Sequence, residues 1–136
     1  MLRISKLADY ATLIMSHLAK EGDKLASATY LASILGLSRP VVSKVLKILC
    51  QAGLVFSTRG VIGGYRLSRA PEAISIAEVV AAIDGDFTMT ECCSSRGSCI
   101  LDASCGTKTN WKIINNAIYS TLAKLSLSDM IRPLAE

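Results

Sequence analysis

Long hydrophobic runs and aromatic side chains are both scarce in this sequence of 136 residues. No apolar run comes near the roughly 18 residues of a membrane-spanning helix, so we expect no membrane partner. Aromatic residues make up 5% of the chain and hydrophobic residues 51%, which predicts an aliphatic core. Only 3 prolines and 9 glycines are present, and this composition argues against a disordered or fibrous chain. The length fits one domain, or one small domain that carries an extra arm.

An uninterrupted apolar segment is also missing from residues 1–9, where charged side chains break the hydrophobic positions. A secretory signal requires such a segment, so we expect a cytoplasmic protein. In that reducing compartment, the five cysteines are more typical of metal ligands or redox groups than of disulfides.

Acidic residues are absent from residues 24–71, an interval that contains seven lysines and arginines. Residues 1–70 hold ten basic against three acidic side chains, whereas residues 71–136 hold five against eight. This asymmetry favours a polyanion-binding N-terminal half with nucleic acid as the partner. A solvated basic face is the alternative, but such a face usually keeps some interspersed acids.

The pattern of residues 28–52 predicts a helix-turn-helix. A short second helix ends at Leu35, a tight turn follows, and Ser38 is placed to cap a third helix over residues 39–52. One face of the third helix is apolar, and the opposite face carries no acidic side chain. An ordinary amphipathic helix would more often show mixed charges there, so we predict that this face reads DNA in the major groove. It consists of Arg39, Ser43, Lys44, Lys47 and Gln51.

A β-hairpin is predicted directly after the third helix, with strands at residues 54–57 and 65–67 and a glycine-rich tip between them. A hairpin in this position is the wing of a winged helix. The tip glycines allow the backbone to approach another surface closely, and Arg59 suits a narrow minor groove or a phosphate. No helix start or Walker lysine follows the tip, which excludes a nucleotide phosphate loop. The wing residues assigned to DNA binding are Arg59, Gly60, Gly63, Gly64 and Tyr65.

Two more helices are predicted after the wing. The capping box of Ser75 and Glu78 opens a helix that runs to about Ile83, and a longer helix begins at Thr109. The apolar stripe of the longer helix is broader than one small domain can bury, so we expect a homodimer interface there. The stripe consists of Trp111, Ile114, Ile118, Leu122 and Leu125. Ser128 is predicted to cap a last short turn.

The predicted fold is therefore mainly α-helical with a small β-hairpin wing, a winged helix-turn-helix followed by a long C-terminal dimerisation helix. We expect a DNA-binding domain over residues 1–83, a cysteine-rich loop over residues 84–108, and the dimerisation helix and tail over residues 109–136.

Four of the five cysteines, Cys92, Cys93, Cys99 and Cys105, fall within 14 residues. Cys99 and Cys105, together with one of the two adjacent cysteines, would wrap a loop around one centre. The paired C-x-x-C knuckles of a zinc ribbon are absent, and wider loops suit a bulkier iron–sulfur cluster better. A zinc clip and reduced thiols without a function are the alternatives. Cys50, on the third helix, is predicted to be a small core residue.

Three thiolates leave one ligand position open, and no histidine lies near the loop. The missing ligand is expected to be an oxygen donor, the second of the adjacent cysteines, or a group from elsewhere in the dimer. An oxygen ligand would leave one iron exposed to oxidants, nitric oxide or removal, which suits a sensor. An enzyme with a nucleophilic cysteine is disfavoured, because the loop lacks a nearby histidine base.

These features together resemble the Rrf2 family of bacterial winged-helix regulators. The resemblance rests on the pattern Leu-x-x-Ile-Leu-Gly-Leu-Ser over residues 31–38, the wing over residues 59–67, and the three-cysteine loop. It spans the chain from Leu2 to about Met130. The family includes a regulator of iron–sulfur cluster assembly and a nitric-oxide-sensing repressor, and this chain looks closest to members that control the SUF assembly operon.

The resemblance implies a homodimer crossed through the C-terminal helix, with one two-iron or four-iron cluster in each subunit. It assigns Cys99, Cys105 and one of Cys92 and Cys93 as ligands. In some members an aspartate of the partner subunit completes the site, and Asp9 matches that position. In others a histidine after the last cysteine does so, where this chain has Lys108. The family's DNA-reading positions fall on Ser38, Pro40, Ser43, Lys44 and Arg59.

The function implied is a non-enzymatic, cluster-controlled transcription regulator, in the simplest case a repressor of iron–sulfur assembly genes. It would bind an operator in double-stranded DNA and have no small-molecule substrate. A nitric-oxide-sensing or redox-sensing repressor of the same fold, and a zinc or thiol switch without a cluster, are the alternatives.

Overall fold

Serine occupies the N-cap position of most helices in the computed structural model, which describes residues 2–97 and 99–135. The hydroxyl oxygens of Ser5, Ser27 and Ser75 each accept a hydrogen bond of 3.1 Å from a backbone N–H one turn further on. Such caps satisfy N–H groups that have no partner inside the helix. The elements are α1 (Lys6–Glu21), α2 (Ala28–Leu35), α3 (Arg39–Gln51), β1 (Val55–Thr58), β2 (Gly64–Leu67), α4 (Ile76–Asp84), α5 (Lys108–Lys124) and α6 (Leu127–Met130).

The mainly helical architecture, the hairpin wing and the N-cap position of Ser38 are confirmed, whereas the predicted cap of the last helix is wrong. Ser38 occupies the position before α3 with extended backbone, yet its side chain makes no capping hydrogen bond, and a proline in the first turn removes one donor instead. The last short helix is capped by Ser126, not Ser128. Ser126 and Asp129 form a reciprocal capping box, whereas Ser128 lies inside α6.

The core is aliphatic, as the composition predicts. Helix α1 lies at its centre and packs against α2, α3, α4, α6 and β2. Its fully buried side chains are Ala8, Ala11, Ile14, Met15 and Leu18. No aromatic side chain is among the buried residues in the part of the chain that the structure describes. Cys50 is half-buried against this core, in line with the predicted packing role.

Strands β1 and β2 pair antiparallel from Val55 opposite Leu67 to Thr58 opposite Gly64. The first strand begins one residue later than predicted, because the N–H of Leu54 still donates to the carbonyl of Leu49 at the end of α3. The second strand begins one residue earlier than predicted.

The hairpin is anchored to the segment between α1 and α2. The N–H of Ala26 donates to the carbonyl of Tyr65 at 3.0 Å, and the N–H of Tyr65 donates back to the carbonyl of Ala26 at 2.8 Å. A Cβ atom at Gly64 would lie 2.9 Å from the carbonyl of Ala26, so only glycine fits this approach.

Helix α5 packs against α4 but contributes little to the core. Asn115 is its only buried residue, and the predicted stripe from Trp111 to Leu125 is exposed or half-buried in a single chain. Ile113, which widens the stripe, is 62% exposed. Together these side chains form an apolar surface that one chain does not cover, as a dimer interface would. The three predicted domain ranges stay a prediction. No helix among the described residues has the length and apolar character needed to cross a membrane.

We expect Ile114→Asp to prevent dimer formation, because it would place a charge in the centre of an interface that excludes water. Sedimentation at micromolar concentration should give a dimer for the original chain and a species of about half that mass for the variant. Leu134→Asp, at an exposed position of the tail, is the matched control. A stable monomer of the original chain would refute the predicted interface.

Candidate nucleic-acid interface and thiol loop

The polar face of α3 is exposed throughout. Arg39, Lys44 and Lys47 all face solvent, and no carboxylate among the described residues lies within 4.0 Å of their charged groups. Ser38, Pro40, Ser43 and Gln51 are exposed beside them. Unpaired cations on an accessible helix can bind phosphates without first breaking an ion pair. The predicted α3 positions are therefore together on one accessible face, and their DNA contacts stay a prediction.

The wing tip is exposed as well. Arg59 has no carboxylate partner among the described residues, and Gly60 has a φ of +115°, a conformation that favours glycine. Gly63 donates its N–H to the carbonyl of Gly60 at 3.0 Å, which closes the turn. Gly64 and Tyr65 lie at the base of the tip, where they hold the wing against Ala26. Their role in the structure is thus to position the tip.

Two other arginines of the basic interval have partners within the protein. Arg69 pairs with Glu78 at 2.8 Å and also donates to the carbonyl of Ala73 at 2.9 Å. The capping bond from the Ser75 N–H, together with Arg69, holds the pKa of Glu78 below its usual value. The guanidinium of Arg66 lies 5.0 Å from the centre of the Phe56 ring, a cation–π contact. The sequence does not distinguish these arginines from Arg59.

The thiol loop, which we define as residues 87–107, connects α4 to α5. All four of its cysteines are free and half-buried. The Thr90 hydroxyl lies 3.1 Å from the sulfur of Cys92 and 3.3 Å from the sulfur of Cys93, so both thiols face one hydroxyl. Cys93 also donates to the carbonyl of Trp111 on α5 at 3.7 Å. The first two cysteines are therefore packed next to α5.

Cys105 lies at the other end of the loop, just before α5. Hydrogen bonds from the Thr107 hydroxyl and from the backbone N–H groups of Thr107 and Lys108 lower the pKa of this thiol. Lys108 pairs with Asp102 at 2.7 Å, which raises the pKa of the lysine, and the charges of Cys92 and Cys105 raise it further. One ammonium group therefore interacts electrostatically with thiols from both ends of the loop.

The predicted ligands are not gathered around one centre in a single chain. Within residues 2–97 and 99–135, no three histidine, cysteine or acidic side chains converge to hold a metal ion. Asp9 is exposed on α1 and lines a surface cavity of about 860 Å³ that contains no cysteine. The donor set nevertheless fits an iron–sulfur cluster chemically, because free thiolates are the preferred ligands and nearby N–H groups and Lys108 offset their charge.

Asn115 connects the loop to α5. Its side-chain oxygen accepts from the N–H of Met89 at 2.8 Å, and its side-chain nitrogen donates to the carbonyl of Phe87 at 3.3 Å. Asn115 is the only buried polar side chain of the described residues. Asn115 lies one helical turn after Trp111 on α5. In the sequence, the only sign that it binds the loop is that a polar residue lies beside the apolar stripe. Asn115 thus helps to hold the start of the thiol loop on α5.

A winged helix-turn-helix with an exposed basic helix and a basic wing tip defines a class of protein, the DNA-binding transcription regulators. A model of the Rrf2 family, described as an iron-dependent transcriptional regulator, matches residues 4–133. This chain belongs to the Rrf2 family.

Several known proteins are similar over almost the whole chain. The HTH-type transcriptional regulator NsrR of Bacillus licheniformis is 31% identical over 96% of this chain and 92% of its own length. The solved structure of CymR, the global cysteine regulator of B. subtilis, is 29% identical and covers 96% of this chain and 97% of its own, with a TM-score of 0.80. The structure of T. potens IscR is 27% identical, covers 99% of this chain and 93% of its own, and has a TM-score of 0.75.

We expect Arg59→Ala to weaken operator binding by about 1–3 kcal/mol if the guanidinium enters a groove. If Arg59 contacts only phosphate, the variant should weaken specific and nonspecific binding alike and lower the salt slope by about one. Fluorescence anisotropy at several salt concentrations measures both quantities. Arg69→Ala is a useful comparison, since Arg69 pairs with Glu78. Unchanged affinity and slope for Arg59→Ala would remove this residue from the interface.

We expect Asn115→Leu to lower the free energy of unfolding by about 1–3 kcal/mol, because two main-chain groups lose their buried partner. Hydrogen exchange at the Met89 amide should accelerate in the same variant. Asn116→Leu is the matched control, since Asn116 is the exposed neighbour on the same helix. Equal stability and equal exchange in the two variants would contradict the positioning role of Asn115.

Proposed function

We propose that this protein is a cytoplasmic transcription repressor whose binding to an operator in double-stranded DNA is controlled by an iron–sulfur cluster. Its targets would be genes for iron–sulfur assembly, and it would act as a homodimer without catalysis or a small-molecule substrate. The observation that carries the proposal is the thiol loop, where four free cysteines lie in one segment that packs directly against α5. The iron dependence stated in the description of the family supports an iron cofactor.

Cys99, Cys105 and one of Cys92 and Cys93 would hold the cluster, with Asp9 of the partner subunit as the fourth ligand. The bound cluster would supply one-electron redox chemistry and an iron that reacts with oxidants or nitric oxide. The chain's own residues prepare this site. Thr90 can donate a hydrogen bond to the adjacent sulfurs, and Lys108 offsets negative charge near Cys92 and Cys105. Asn115 keeps the start of the loop on the dimerisation helix.

A thiol switch without a cluster is the second candidate, and one specific observation favours it. The pKa of Cys105 is lowered by hydrogen bonds at the start of α5, which increases the fraction of reactive thiolate at neutral pH. CymR, whose solved structure is similar to this chain, is a global cysteine regulator. A nitric-oxide-sensing repressor with a cluster is a variant of the first candidate.

The absorption spectrum of protein purified without oxygen separates these candidates. We expect brown protein with broad visible absorption, and iron and sulfide in comparable amounts. Cys99→Ser and Cys105→Ser should remove the colour, whereas Cys50→Ser should keep it, since Cys50 lies on α3 and packs against the core. Colourless protein with stoichiometric zinc would refute the cluster. Colourless protein without metal whose DNA binding responds to thiol oxidants would favour the thiol switch.

Variants at Asp9 test the fourth ligand. We expect Asp9→Ala to assemble a cluster that is lost faster in air, because water or added thiol would replace the carboxylate. Asp9→Cys should give a slower loss, since a thiolate exchanges less readily than a carboxylate at iron. The decay of visible absorption measures both rates. Asp23→Ala, at the other end of α1, is the control. Identical spectra and lifetimes in both Asp9 variants would favour the second adjacent cysteine.

A further inference from the structure

The most exposed apolar side chains of the DNA-binding half lie at the apex of the wing. Val61 is 107% exposed and Ile62 is 89% exposed, values that correspond to side chains without neighbours. They occupy the two central positions of the turn that Gly63 closes onto Gly60. At this position the two β-branched side chains bury no apolar area within the chain. Their burial against another molecule would therefore be favourable.

We propose that Val61 and Ile62 form an apolar wedge that enters the minor groove of duplex DNA and bends it. Apolar side chains of this size can insert between base steps, and the resulting bend allows a protein to contact more of the duplex. The wedge lies two residues from Arg59, whose charge can hold the phosphates beside it. The proposal rests on the DNA-binding part of the proposed function and is independent of the iron–sulfur cluster.

Hydrogen bonds and close backbone packing hold the tip of the wing in one conformation. The turn is closed by the 3.0 Å hydrogen bond from Gly63 to Gly60, and the two hydrogen bonds between Ala26 and Tyr65 hold the base of the hairpin. Gly64 rests against the backbone of Ala26, where no larger residue fits. A preordered tip loses little conformational entropy when it binds, so its two side chains can be buried in DNA at low cost.

A nucleic-acid partner fits this tip better than a protein partner. The neighbouring tip residues are glycines, which leave little apolar area for a protein interface that buries about 800 Å² on each side. A groove wedge needs only one or two side chains. The surroundings are also cationic, since Arg59 is unpaired among the described residues and α3 presents three further unpaired cations.

One flank of the tip limits how DNA can approach. Val61, Ile62 and Gly63 lie at the edge of a surface cavity of about 670 Å³ whose charged lining residues are Glu21, Asp23 and Lys24. The Tyr30 hydroxyl donates to the carboxylate of Glu21 at 2.9 Å and lowers its pKa, and Lys24, 4.0 Å from Glu21, offsets one of the two negative charges. Because the two carboxylates outnumber the single lysine, this flank does not attract phosphates, and the apex is the part of the wing that can enter a groove.

The double variant Val61→Ser, Ile62→Ser tests the wedge. A pool of random 30-base-pair duplexes is first selected on the original protein, and the enriched duplex, labelled at both ends, serves as the probe. We expect about tenfold weaker binding and a smaller bend, measured by energy transfer between the labels. The salt slope should stay unchanged, because apolar contacts release no counterions, whereas Arg59→Ala should lower it by about one.

Two controls separate a wedge from a damaged wing. Val61→Leu, Ile62→Met should keep the affinity and the bend, since the apex remains apolar. Leu134→Ser removes an apolar side chain of the tail that is 52% exposed and should change neither quantity. If the original protein binds tightly and the serine variant has the same affinity and bend, the wedge is overturned while DNA binding stands. The apex would then be assigned to a protein partner. Failure of the original protein to enrich any duplex would overturn the wedge together with DNA binding.

Discussion

The burial of α1 is the constraint on which the rest of this structure depends. One face of the helix is completely inaccessible to solvent, and the elements that carry functional groups are oriented by packing against it. Helix α3 presents its cations on the side away from α1, and β2 brings the wing beside it. The start of α1 is also tied to the end of α4, since the N–H and the hydroxyl of Ser5 both donate to the carboxylate of Asp84. The DNA-binding elements and the helix that leads into the thiol loop thus share one support.

The C-terminal part follows a different principle, because little of it is buried within a single chain. Helix α5 contributes one buried side chain, and that side chain is polar. Asn115 binds main-chain groups and so holds the loop whatever the side chains of Phe87 and Met89 are. A segment held by a few polar contacts can change its arrangement at a lower free-energy cost than a packed core. Such a loop is suited to respond when its thiols change state.

Much of the fold could be predicted from the sequence, because its determinants are local. The apolar periodicity of α3 and the glycines of the wing encode the helix-turn-helix and the hairpin, and both were predicted within one residue. The cap at the last helix was misassigned because two serines lie two residues apart, and only the partner Asp129 selects Ser126. The roles of Arg69 and Asn115 depend on contacts with distant residues, which periodicity does not reveal. The predicted cluster ligands stay a prediction, because the arrangement of the cysteines depends on the long-range packing of the loop.

The pairing of Ala26 with Tyr65 has a consequence for regulation. Because the two hydrogen bonds join the wing to the segment that leads into α2, and α2 packs against α3, the helix-turn-helix and the wing form a single unit. A signal that reaches such a unit cannot easily change which bases it recognises. In a dimeric regulator, the signal can instead alter the distance and angle between two such units. Control would then act on the separation of the two half-sites within an operator, while the sequence of each half-site stays the same.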